Sequence, residues 1–87
     1  MSKFKLTSKT ITTFEGHTLY QIRAPKDFSN VKTGDLGGYI EKEGNLSQIG
    51  NAWVFDDAKV YEDAWISGNA LICDFTKISG KEMKTKP

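Results

Sequence analysis

At 87 residues the chain has room for one domain with a modest core, a size at which stability leans on oligomerisation. Its formal net charge of +1 gives no global electrostatic reason for binding nucleic acid or an anionic membrane. The sequence reads as having no signal peptide and no apolar run of membrane-spanning length, and its single cysteine, Cys73, has no partner for an internal disulfide, so a reducing cytoplasm is the expected location.

From Met1 to Ala24 the pattern is of two or three short strands. Thr10–Phe14 and Thr18–Ile22 flank Glu15-Gly16-His17, and a glycine in a short link between β-branched and aromatic runs predicts an antiparallel hairpin. His17 sits in that link as a solvent-exposed turn residue. No second histidine or ligand-spaced cysteine exists to make it a metal ligand. Between Pro25 and Gly38 the alternation stops. Residues 26–32 read as one helical turn or a compact loop, and Gly37-Gly38 reads as a tight lead-in where backbones approach closely, without the spacing of a phosphate-binding loop.

From Gly44 to Ser79 one six-residue phrase recurs without insertion: GNLSQI, GNAWVF, DDAKVY, EDAWIS, GNALIC, DFTKIS. The third place holds Leu46, Ala52, Ala58, Ala64, Ala70 and Thr76; from the second hexad on, the fifth holds Val54, Val60, Ile66, Ile72 and Ile78. Two-residue alternation inside a fixed period is a strand-and-corner pattern, and such self-similarity predicts a solenoid in which each repeat buries its face on the next. Asp, Asn and Gly at the corners (Gly50-Asn51, Asp56-Asp57, Glu62-Asp63, Gly68-Asn69, Asp74) suit left-handed backbone. The domain thus divides into an N-terminal β cap (1–43), the repeats (44–79) and a flexible tail (80–87).

The in-phase pairs Val54/Ala58, Val60/Ala64, Ile66/Ala70 and Ile72/Thr76 resemble the hexapeptide repeat of left-handed parallel β-helices. The resemblance implies an all-β fold of about two triangular coils capped by the hairpin. One departure concerns the place after the aliphatic residue, often small in that family, which holds Phe55, Tyr61, Ser67 and Cys73 here. The run Gly34-Asp35-Leu36-Gly37-Gly38-Tyr39-Ile40 leading into Gly-Asn-Ala hexads further resembles small repeat proteins common in phages and prophages.

Third and fifth places point inward, so fourth and sixth places point out and sort into three faces: Trp53, Phe55, Leu71 and Cys73; Lys59, Tyr61, Lys77 and Ser79; Ser47, Ile49, Trp65 and Ser67. The first is apolar throughout, a character that marks either a contact surface or a face covered by the chain's own hairpin. The candidate partner-binding residues are Trp53, Phe55, Leu71, Trp65, Ile49 and Tyr61, together with the corner acids Asp56, Asp57, Glu62 and Asp63. No catalytic constellation, cofactor site or metal site is read from the residues. The resulting expectation is a non-enzymatic binding module, by analogy an inhibitor of a host defence complex of the anti-CRISPR kind, with a host protein or ribonucleoprotein and a second copy as partners, and neither membrane nor direct nucleic-acid contact. The alternatives are a self-assembling structural protein and, less favoured, a relative of the hexapeptide acyltransferases, which normally need a trimer of longer prisms, a nucleotide-thioester site between them and a catalytic histidine, whereas the only histidine here, His17, lies in the hairpin outside the repeats.

Overall fold

A computed structural model describes residues 3–28 and 31–85; the expectations for residues 1–2, 29–30 and 86–87 fall outside them. The described residues form β1 (Lys5–Thr12), β2 (Thr18–Arg23), β3 (Leu36–Ile40), a 3-10 turn (Glu43–Asn45), β4 (Trp53–Val54), β5 (Lys59–Val60), β6 (Trp65–Ile66), β7 (Leu71–Ile72), β8 (Lys77–Ile78) and β9 (Met83–Lys84), with no α-helix. The fold is all-β: a short parallel β-helix with an antiparallel hairpin at its start.

β1 and β2 make the expected hairpin, in register at Thr10↔Tyr20, Ile11↔Leu19 and Thr12↔Thr18. β2 pairs antiparallel with β3, and β3 pairs parallel with β5, so one sheet runs β1-β2-β3-β5-β8 and the hairpin prolongs one side of the prism past its first level. The unpaired edge that β3 would present is thereby occupied by β2.

The other two faces are the parallel pairs β4–β7 and β6–β9. Trp53 stacks under Leu71, Lys59 under Lys77 and Trp65 under Met83, one coil per eighteen residues. The first coil is two residues longer, Tyr39 meeting Lys59 and Leu46 meeting Ile66, and the extra residues fall between Ser47, whose amide donates to Ile66 O, and Asn51, whose amide donates to Gly68 O. Each later hexad begins with left-handed backbone: Gly50, Asp56, Glu62, Gly68, Asp74 and Gly80 all have φ between 54° and 84°. The six-residue period is therefore visible in the dihedral angles themselves. A glutamate in this region is unusual, and Glu62 is held there by its neighbours: its amide donates to Glu41 Oε1 at 2.8 Å and its own Oε1 accepts the Gly80 amide at 2.9 Å.

The inward places form the core. Leu46, Ala52, Val54, Ala58, Val60, Ala64, Ile66, Ala70, Ile72 and Ile78 are buried, and the small third-place side chains admit the aliphatic fifth-place ones across the narrow prism. Gly38 shows how narrow it is, since a Cβ there would lie 2.6 Å from both Ala58 O and Val54 Cγ1, a separation no side chain tolerates. Asn45, also buried, has every polar atom satisfied. Its Oδ1 accepts the Glu41 and Lys42 amides at 3.1 and 2.9 Å, and its Nδ2 donates to the Glu62 and Ala64 carbonyls at 3.1 and 2.9 Å.

One sequence expectation changes at the C-terminal margin, and the N-terminal margin adds a buried lysine. Residues 80–85, read as the start of a flexible tail, continue the repeat as a seventh hexad whose β9 pairs with β6. Its inward places carry Glu82 and Lys84, whose charged atoms approach to 4.0 Å at the end of the prism; a polar last repeat is how a solenoid closes its core. At the other margin Lys3 is buried, its Nζ donating to the Ala52 carbonyl at 2.8 Å above the Phe28 ring, and burial, with a smaller contribution from Lys26, lowers its pKa to about 8.

Candidate functional site

The fold brings three segments together at one corner of the first coil. The hairpin turn closes through Thr13: its amide donates to His17 O at 2.9 Å, and the His17 amide donates to Thr13 Oγ1 at 3.1 Å. Gly16, at φ 95°, turns the chain so that the His17 ring comes back over the sheet. There it meets Glu41, the residue after β3, and Glu62, the corner residue one coil on. His17 Nδ1 lies 2.8 Å from Glu41 Oε2 and Nε2 lies 3.6 Å from Glu62 Oε2. Beneath the ring, Tyr61 is tilted at a centroid distance of 5.3 Å. Tyr61, Tyr39 and Leu19, with Ile11 at their edge, make a second small apolar cluster on the outside of the mixed sheet.

The electrostatics follow from this placement. The hydrogen bond to Glu41 raises the His17 pKa above its ordinary 6.5, with further help from the charges of Glu41, Glu62 and Glu15 against a smaller opposing effect of desolvation. For Glu41, desolvation pushes upward, but hydrogen bonds from His17 and the Glu62 amide outweigh it and hold the carboxyl below its usual value. An imidazole whose Nδ1–H is held by a carboxylate keeps its lone pair on Nε2, here beside Glu62 at the coil edge, and is an oriented proton acceptor whenever it is neutral. Cys73 is the opposite case: the charge of Asp74, then desolvation, raises its pKa, so this exposed thiol is a poor nucleophile. Among the described residues no three histidine, cysteine or acidic side chains are arranged to hold a metal ion.

The structure disperses the residues singled out from the sequence. Trp53, on the face read as either a contact surface or one covered by the chain itself, is 1% exposed, covered edge-on by Phe28 at 5.2 Å, and Phe55 packs partly buried beside the same core. Tyr61 is buried under His17. Neither Trp53 nor Tyr61 is free to meet a partner as the chain stands. Leu71 and Ile49 are exposed and Trp65 is partly buried, stacked below the exposed Met83. Asp56, Asp57, Glu62 and Asp63 are exposed, but three of them have partners inside the chain: Asp56 Oδ2 accepts the Asp74 amide at 3.4 Å, Glu62 is engaged as above, and Asp63 meets Lys42 Nζ at 3.1 Å. His17, read as a solvent-exposed turn residue, is instead partly buried, 27% of its side chain remaining accessible. Glu41 was not singled out at all; its outward place beside Tyr39 in β3 was the available signal, but its pairing with the hairpin tip depends on a long-range register.

No protein-family model matches the chain. Over 68 residues, 77% of its length, it is 40% identical to a protein of Escherichia coli named uncharacterized acetyltransferase YdcK, of which it spans 21%. This similarity overturns the expectation that the chain is not an enzyme: the relative it matches carries an enzyme's name.

Proposed function

We propose that the chain is an acyl-transfer module built on a β-helix, in which His17, oriented by Glu41, acts as general base. The similarity to a protein named an acetyltransferase carries this reading, and it favours the acyltransferase alternative over the phage-borne, anti-CRISPR-like inhibitor. In the reaction, Nε2 takes a proton from an acceptor amine or hydroxyl as that group attacks the carbonyl of an acyl thioester; the carbon–sulfur bond breaks and the departing thiolate is protonated. His17 stands on an open surface and the described residues enclose no cavity, so the thioester-binding wall comes from a second copy or from further coils.

Release of free thiol from acetyl-coenzyme A, followed colorimetrically with a panel of primary amines and sugar hydroxyls, tests the proposal. Wild type accelerates release with at least one acceptor, and His17→Ala loses about 10²- to 10⁴-fold of that rate, the usual contribution of a positioned base. Thiol release no faster than the protein-free blank across the panel refutes the activity. A rate unchanged in His17→Ala refutes the role of the imidazole.

A further inference from the structure

We propose that the corner formed by His17, Glu41 and Glu62 is a proton-operated latch: the imidazolium fastens the tip of the hairpin to both carboxylates of the coil edge, and loss of its proton releases the Glu62 side and loosens the tip, leaving the ring on Glu41. The inference rests on the hydrogen-bond inventory of the ring and holds whether or not the chain transfers acyl groups. Both ring nitrogens face carboxylate oxygens, Nδ1 at 2.8 Å and Nε2 at 3.6 Å. A neutral imidazole has one donor and one lone pair, so it can serve Glu41 only by turning a lone pair toward Glu62; the imidazolium donates to Glu41 and turns its second N–H toward Glu62 as an ion pair.

The two carboxylates belong to the coil edge and cannot follow the ring. Glu41 Oε1 is engaged by the Glu62 amide and Glu62 Oε1 by the Gly80 amide, so a ladder of carboxylate-to-amide bonds links three successive levels of one corner. The imidazole belongs to the hairpin turn, which has freedom to move: a Cβ at Gly16 would touch nothing, and Phe14 beside it is fully exposed. The charged groups around the ring are Glu15 on its own turn, Glu41 and Lys42 at the end of β3, and Glu62 and Asp63 at the corner; the one cation among them, Lys42, is taken by Asp63 at 3.1 Å. Tyr61 supplies the floor.

The sign follows from the direction of the shift. A base whose pKa is raised on folding adds stability that is complete below its ordinary value of 6.5 and is lost as pH rises through the folded value, so the latch is shut in mild acid and opens on the alkaline side. At lower pH the carboxylates take up protons and the same contacts go. Opening loosens the cover over Tyr61, otherwise buried under the ring.

The test is a pH titration from 5 to 9 of the full chain by NMR, reading the ring nitrogen shifts of His17 and the amide protection factors of residues 13–18. Wild type shows both ring nitrogens protonated beyond pH 6.5, and protection of the turn falls several-fold as they titrate. Glu62→Gln, whose amide oxygen still accepts the Gly80 N–H, shifts the titration to lower pH; His17→Gln removes the pH dependence of protection. A wild-type titration at or below 6.5, or turn protection that stays flat while the ring titrates, overturns the latch. The wild-type readout alone decides it if either variant fails to fold.

Discussion

Replacing Trp53 by alanine separates a covered face from an open one. The side chain is 1% exposed, with Phe28 edge-on to its ring and Lys3 lying over Phe28. A buried aromatic covers about 150–250 Å² and contributes about 0.5–1.5 kcal/mol more through edge-to-face pairing; Trp→Ala in a core costs about 3–5 kcal/mol. Against a total of about 4–13 kcal/mol for 87 residues, that loss takes away a large part of the stability. A loss of 3 kcal/mol corresponds to a drop of about 12–24 °C in Tm at this size. Leu71, stacked directly above Trp53 in the β4–β7 pair, is 45% exposed, and Leu71→Ala stays within about 0.5 kcal/mol, as open-surface substitutions do. Thermal and urea unfolding followed by circular dichroism gives both numbers. If the two variants melt within a degree or two of each other, Trp53 is not under the cover described, and the assignment of that face to the core fails.

Two other outcomes follow from single features. Asn45→Ala strands the Lys42 amide and the Glu62 and Ala64 carbonyls at the first corner, the Glu41 amide keeping its bond to Val60 O, and since each buried unsatisfied group costs about 1–3 kcal/mol, urea unfolding should show a loss of at least about 2 kcal/mol with the strand content unchanged; a loss under half of that would mean water replaces the side chain at no cost. Truncation after Gly80 removes the carbonyls that accept the Trp65, Ser67 and Asn69 amides, about 3 kcal/mol at roughly 1 kcal/mol per bond, whereas removal of a loose tail would leave the melting curve in place.

The two readings of the first outer face show where local pattern stops. The alternation that put Trp53 outward is correct, and it is equally correct for Leu71, yet one is core and the other surface. The difference is Phe28, which reaches Trp53 from a segment far away in the chain and is itself covered by Lys3. The same holds at the candidate site. His17, Glu41 and Glu62 were each legible as residues, one in a turn, one on a strand and one at a corner, but nothing in their spacing brings them together. Their meeting depends on β2 pairing with β3 in one register and on the two additional residues of the first coil.

The sequence by itself determined the period, the inward places and the corners, because each hexad repeats the same local problem. Alternation chooses strand over helix, a small residue beside a branched one fits a narrow prism, and Gly or Asp accepts the left-handed corner. Only the tertiary structure decided what closes the ends, where the hairpin lies and which outward side chains remain outward. Those are contacts between residues distant in the chain, set by strand register and loop length, and a periodic pattern is the same before and after they form.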